Sequence, residues 1–93
     1  MEINQVHSGN KGSFVAVDDD FQLGEIVYSM KSDDTLVIEH TEVEPISKGR
    51  GIGKSLVFKV ADYARVNGLK VIALCPFAKS IFKKNEEIQD VLE

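Results

Sequence analysis

The hydrophobic pattern of this chain changes period at Pro45, and that change fixes the class of fold open to it. Before Pro45, the segments Ile3 to His7, Ser13 to Val17, Phe21 to Lys31 and Thr35 to Glu44 are rich in β-branched and aromatic residues. The turn-forming runs Ser8-Gly9-Asn10-Lys11-Gly12, Asp18-Asp19-Asp20 and Ser32-Asp33-Asp34 separate them, so short antiparallel hairpins are expected. After Pro45, Ile52, Leu56, Val60 and Tyr63-Ala64 recur at helical spacing, and Val57 and Ala61 widen the stripe. This predicts one amphipathic helix over about Gly51 to Val66, stopped where Asn67-Gly68 supplies a residue tolerant of positive φ. Leu69 to Cys75 is a short, mostly apolar run suited to a central strand parallel to Thr35–Glu44, ended by Pro76. Phe77 to Lys84 reads as a short helix, with Asn85 capping a last Glu86–Leu92 turn. The expected class is α/β (α+β): a mixed sheet of mainly antiparallel N-terminal strands, a long helix, a parallel strand and short C-terminal helices. A strand, helix, strand order in one sheet makes a right-handed crossover, which places the loop between Glu44 and Gly51 at the carboxyl end of the sheet, where such folds bind ligands.

A length of 93 residues with 43% apolar and 28% charged residues is enough for one hydrophobic core, so a single domain over residues 1–93 is expected. No apolar run approaches the roughly 20 residues that cross a bilayer, and the N-terminus lacks a basic start and an apolar stretch. A cytoplasmic protein without membrane contact is the expectation. The net charge of −4 disfavours nucleic acid as a partner, since neutralising phosphates takes clustered Lys and Arg with little competing acid. The lone Cys75 has no second cysteine for a disulfide or a zinc knuckle, so a reducing compartment and no metal are expected. The acidic turns discourage self-pairing of the sheet edge, which points to a monomer.

Between the fourth strand and the long helix lie Gly49, Gly51 and Gly53, interleaved with Arg50 and Ile52 and flanked by Lys48 and Lys54. Glycines let successive backbone amides turn toward one point, and the first turn of a helix leaves its amides unpaired with partial positive charge. Such a loop can grip a pyrophosphate, or it can simply redirect the chain. The spacing is neither the Gly-x-x-x-x-Gly-Lys-Ser/Thr of a Walker loop nor the Gly-x-Gly-x-x-Gly of a dinucleotide fold.

Val43-Glu44-Pro45 followed by Lys48-Gly49-Arg50-Gly51-Ile52-Gly53-Lys54-Ser55-Leu56 resembles motif A of the GNAT superfamily of N-acetyltransferases. Its Arg/Gln-x-x-Gly-x-Gly/Ala core corresponds to Lys48-x-x-Gly51-x-Gly53, with Lys in place of Arg or Gln. Together with His40-Thr41-Glu42-Val43, Ala64 to Gly68 and Leu74-Cys75-Pro76-Phe77-Ala78, the chain is similar over almost its whole length to the small single-domain GNAT-like proteins that keep a cysteine after the helix-crossing strand. The resemblance implies that the amides from Gly49 to Lys54 cradle the pyrophosphate of acetyl-coenzyme A. It also implies that the strand ending near Val43 parts from its neighbour to pair with pantetheine, and that the thioester lies near Glu42 and Cys75. Lys48, Arg50 and Lys54 would add charge toward the phosphates, or be solvated loop residues.

The chemistry then turns on three side chains. Cys75 either attacks the thioester as a thiolate or is a small buried residue. His40 and Glu42 alternate with Thr41 and so share a strand face, from which either could take a proton. His7 reads as a surface residue with no partner in view, and Tyr28 and Tyr63 as core or helix-face residues. A tyrosine acid after the last motif has no counterpart, because Phe82 stands in that region. The two helices that follow the first strand in larger family members are also missing, which leaves the acceptor site open. The expected activity is acetyl transfer from acetyl-coenzyme A to an amine or protein lysine, either directly or through Cys75. A module that binds coenzyme A without turnover is the alternative, and a loop that holds nothing is the third reading.

Overall fold

A computed structural model describes residues 1–93. Four strands, β1 (Glu2–Ser8), β2 (Lys11–Asp18), β3 (Phe21–Ser32) and β4 (Thr35–Val43), run antiparallel in sequence order, and β5 (Lys70–Ala73) pairs parallel with β4. The mixed sheet expected from the sequence is present. β1 and β2 are longer than their apolar runs and meet at the two-residue turn Gly9-Asn10, because Gly9 takes φ 62° and permits a tight hairpin.

Helix α1 (Ile52–Asn67) buries Ile52, Leu56, Val57, Val60, Ala61 and Ala64 on the sheet and ends at Gly68, whose φ of 67° is the left-handed stop that the sequence calls for. Its stripe meets Phe14, Ala16, Ile26, Tyr28, Leu36, Ile38 and Val71 in one cluster of 19 buried residues. Helix α2 (Pro76–Lys84) adds Ala78 and Phe82 to that cluster, and a 3-10 segment, Glu86–Val91, adds Ile88 and Val91. No helix is long and apolar enough to cross a membrane.

Four details differ from the sequence reading. β5 stops at Ala73, since the amides of Leu74 and Cys75 both turn to the carbonyl of Ile38, at 3.0 and 3.3 Å, and the chain then leaves β4. Pro76 therefore opens α2 as its first residue, where its missing N–H costs nothing, instead of ending the strand. Asn85 stands at the N-cap of the final segment as expected, but its side chain makes no capping bond there and its amide donates instead to the Ile81 carbonyl at 2.7 Å. His7 has a partner, its Nδ1 lying 3.0 Å from the Tyr28 hydroxyl, which also accepts from Gln5 Nε2 at 2.7 Å.

The register of β3 on β4 contains the feature that positions the site. Val27 lies opposite His40 but Tyr28 lies opposite Ile38, so Glu39 is an extra, unpaired residue of β4. Leu36 and Ile38 face α1 before this bulge. After it, Thr41 and Val43 take that direction, while His40 and Glu42 turn to the opposite face.

Candidate functional site

The pairing of β4 with β5 ends at Ile38 and Ala73, so the edge of β4 from Glu39 to Val43 has no strand beside it. Into the gap beyond come a 3-10 turn, Pro45–Ser47, the glycine loop, the first turn of α1 and the start of α2. They enclose a cleft of about 540 Å³ lined by Thr41, Val43, Ser47, Lys48, Gly49, Gly51, Ile52, Gly53, Lys54, Phe77 and Ile81, a size usual for small-molecule sites.

One wall of this cleft is a set of amides without acceptors. The Lys48 amide donates to the Pro45 carbonyl at 3.2 Å, Arg50 to Ser47 at 3.4 Å and Ser55 to Gly51 at 3.0 Å. The amides of Gly49, Gly51, Ile52, Gly53 and Lys54 find no carbonyl or side-chain acceptor in the protein. Gly49 at φ 86° and Gly51 at φ 73° hold the loop in a left-handed conformation that side chains oppose, although a Cβ at either would meet no atom within 4 Å. At Gly53 the demand is proximity: a Cβ there would lie 2.6 Å from Cζ of Phe77. Donors this dense, at the positive end of a 16-residue helix, fit an anion with several linked oxygens.

The cations of the loop divide. Lys48 and Lys54 line the cleft. Arg50 instead donates to the Asp18 carboxylate at 3.2 Å, beside the N-terminal ammonium, and both cations hold that carboxyl below its usual range. Val43 lines the cleft with its side chain half-buried, whereas Ile52 offers its amide and sends its side chain into the core.

Cys75 is 5% exposed and occupies the N-cap of α2. Its thiol donates to the Thr41 hydroxyl at 3.6 Å, and Thr41 is part of the cleft wall. Burial pushes the Cys75 thiol up, but the amides of Ala78 and Phe77 together with the hydroxyl and amide of Thr41 more than offset it, so the thiol lies below its ordinary value. His40 and Glu42 are not in the cleft. Their side chains, 55% and 79% exposed, pair with each other at 3.9 Å on the far face of the sheet. Thr41, Ser47, Phe77 and Ile81 complete the wall and escaped the reading of single residues; Thr41 is turned inward by the bulge at Glu39, which no residue type announces. No three His, Cys, Asp or Glu side chains gather closely enough to hold a metal ion.

The family model described as GCN5-related N-acetyl-transferase matches residues 13–91. No curated protein matches the chain. Among solved structures, a GCN5-like protein from Staphylococcus aureus is 34% identical with a TM-score of 0.71, the match covering 97% of this chain and 87% of that one. Nourseothricin acetyltransferase is 28% identical with a TM-score of 0.57, over 69% of this chain, which spans only 39% of that enzyme's length. An aminoglycoside N-acetyltransferase solved in complex with coenzyme A has the same fold, with a TM-score of 0.63 at 18% identity over 83% of this chain and 67% of that one. With a family match over most of its length and a relative above 30% identity along nearly all of it, the chain belongs to the GCN5-related N-acetyltransferase family.

Proposed function

We propose that the chain transfers an acetyl group from acetyl-coenzyme A to an amine, with the donor's pyrophosphate held by the amides of Gly49, Gly51, Ile52, Gly53 and Lys54. The single observation that carries this reading is that the residues bearing these amides line one cleft and the amides have no acceptor of their own. Lys48 and Lys54 add charge to the phosphates. The unpaired edge of β4 at Thr41 and Val43 supplies backbone partners for the amide-bearing pantetheine arm. The aminoglycoside enzyme of the same fold, solved with coenzyme A, supports the choice of donor.

In this reading the thioester reaches Cys75 beside Thr41. The thiolate attacks the thioester carbonyl carbon, a new C–S bond forms, and coenzyme A leaves as its thiolate and takes up a proton. The amine nitrogen then attacks the acetyl-cysteine, forming the C–N bond while the Cys75 sulfur departs, and the ammonium proton passes to a base. Thr41 and the amides at the start of α2 favour the thiolate at both ends of this sequence. An acceptor that approaches from the far face of the sheet meets Glu42 and His40 next to the gap between β4 and β5, and either can take that proton.

The absence of His40 and Glu42 from the cleft favours one second reading, a coenzyme A binding module without turnover. Intact-mass measurement after incubation with acetyl-coenzyme A, followed by a panel of amines and lysine peptides, separates the two. The transferase gains one acetyl mass that maps to Cys75 and passes it to an amine. A binder is stabilised thermally by coenzyme A but yields no acetylated product. A protein neither stabilised nor modified refutes both.

A further inference from the structure

Ser47 is 1% exposed, and its hydroxyl is the one buried side-chain polar atom with no hydrogen-bond partner. A hydroxyl taken out of water without a partner is costly, and buried polar groups are almost always satisfied. The residue ends the 3-10 turn that leads into the glycine loop and lines the same cleft. Its backbone is already engaged, the amide donating to the Glu44 carbonyl at 2.8 Å and the carbonyl accepting from Arg50 at 3.4 Å, so the local turn makes no use of the side chain.

The surroundings define what the hydroxyl lacks. The cleft wall that it shares carries the unpaired loop amides, with Lys48 and Lys54 among its lining residues and the Lys54 ammonium 5.4 Å over the Phe58 ring. The other hydroxyl of the cleft, that of Thr41, is occupied by the Cys75 thiol at 3.6 Å. The O–H of Ser47 has no acceptor within the protein, so a ligand atom that accepts completes it. We infer that Ser47 is a ligand-binding residue of the cleft, its Oγ donating to a phosphate oxygen of the molecule held by the glycine loop. The inference rests on the reading that this loop holds the pyrophosphate of coenzyme A. It adds a side-chain contact to a site otherwise built from main-chain donors.

The test is Ser47→Ala, which removes one atom from a buried position and creates no clash. Titration calorimetry with coenzyme A and with dephospho-coenzyme A, which keeps the pyrophosphate, is expected to show binding about tenfold weaker for both ligands, the scale of a lost hydrogen bond to a charged group. The melting temperature of the ligand-free variant is expected to equal or exceed that of the wild type, because an unsatisfied hydroxyl has been removed. Unchanged affinity for both ligands, with the wild type binding normally, overturns the role of Ser47 and leaves the glycine-loop reading intact. A lower melting temperature with unchanged affinity likewise overturns it and assigns the hydroxyl to the fold, through an ordered water. Failure of the wild type itself to bind coenzyme A refutes the loop reading, and the inference falls with it.

Discussion

Replacing Gly51 by Ala isolates what the left-handed loop contributes. Gly51 is the N-cap of α1 at φ 73°, ψ 21°, and a Cβ built there meets no atom within 4 Å, so the variant suffers no clash and only the backbone penalty applies. Holding a residue with a side chain in this region costs about 1–2 kcal/mol. In a domain of this size each kcal/mol lowers the melting temperature by about 4–8 °C, so a fall of about 4–16 °C is expected. Gly9 is the matched control: it has φ 62° and equally open space, but lies in the β1–β2 turn away from the cleft. Gly9→Ala should lower the melting temperature by a similar amount and leave coenzyme A affinity untouched. Gly51→Ala should also weaken binding tenfold or more, because a strained loop no longer aims its amides together; charge-assisted hydrogen bonds are worth about 1.5–3 kcal/mol each. Gly51→Asn should be less destabilised than Gly51→Ala, since asparagine tolerates the left-handed region. Scanning fluorimetry and calorimetry on the variants give both numbers. Wild-type affinity in a destabilised Gly51→Ala protein would refute the argument, as would an equal loss of affinity in Gly9→Ala.

Three further outcomes are expected. Alkylation of Cys75 by a small iodoacetamide should rise with pH through a midpoint below that of an ordinary thiol, because the folded protein favours the thiolate; Thr41→Val should move that midpoint upward, and an unmoved midpoint would remove Thr41 from the account. Lys48→Ala and Lys54→Ala should each weaken coenzyme A binding and lower its salt dependence, whereas Arg50→Ala, which loses its contact to Asp18, should leave affinity nearly unchanged in calorimetry at two ionic strengths. Tyr28→Phe should cost about 1 kcal/mol of stability in urea melts by breaking the contacts to Gln5 and His7, with no effect on binding.

The elements that the sequence made legible are those set by local pattern. The stripe from Ile52 to Ala64 is buried as its spacing requires, Gly68 stops the helix with positive φ, and the acidic turns close the hairpins. What escaped depends on pairing between strands distant in sequence. The end of β5 follows from the Ile38 carbonyl receiving two amides, and the apolar run Leu69–Cys75 extends beyond that point without a sign of it. Arg50 carries the same charge as its loop neighbours, and only the approach of Asp18 from the end of β2 withdraws it from the cleft. Ser47 is one of several serines in the chain, and nothing but three-dimensional burial marks its hydroxyl.

The bulge at Glu39 has the largest consequence for chemistry. Strict alternation from Leu36 and Ile38 would carry His40 and Glu42 toward α1 and set both beside the cleft. One inserted residue reverses that assignment for the rest of β4. Thr41 reaches the Cys75 thiol and Val43 the glycine loop, while the two proton-accepting side chains stand in solvent on the other side of the sheet. The gap between β4 and β5 lies between these two sets of groups. If donor and acceptor meet there, the thiol and the main-chain donors belong to the side that binds the thioester, and Glu42 and His40 to the side from which an amine arrives. On this division Cys75→Ser abolishes acetyl loading without loss of coenzyme A affinity. Glu42→Gln combined with His40→Gln leaves both loading and affinity intact and slows only passage of the acetyl group to an amine. Loss of loading in the double variant would place these side chains on the donor side and refute the division.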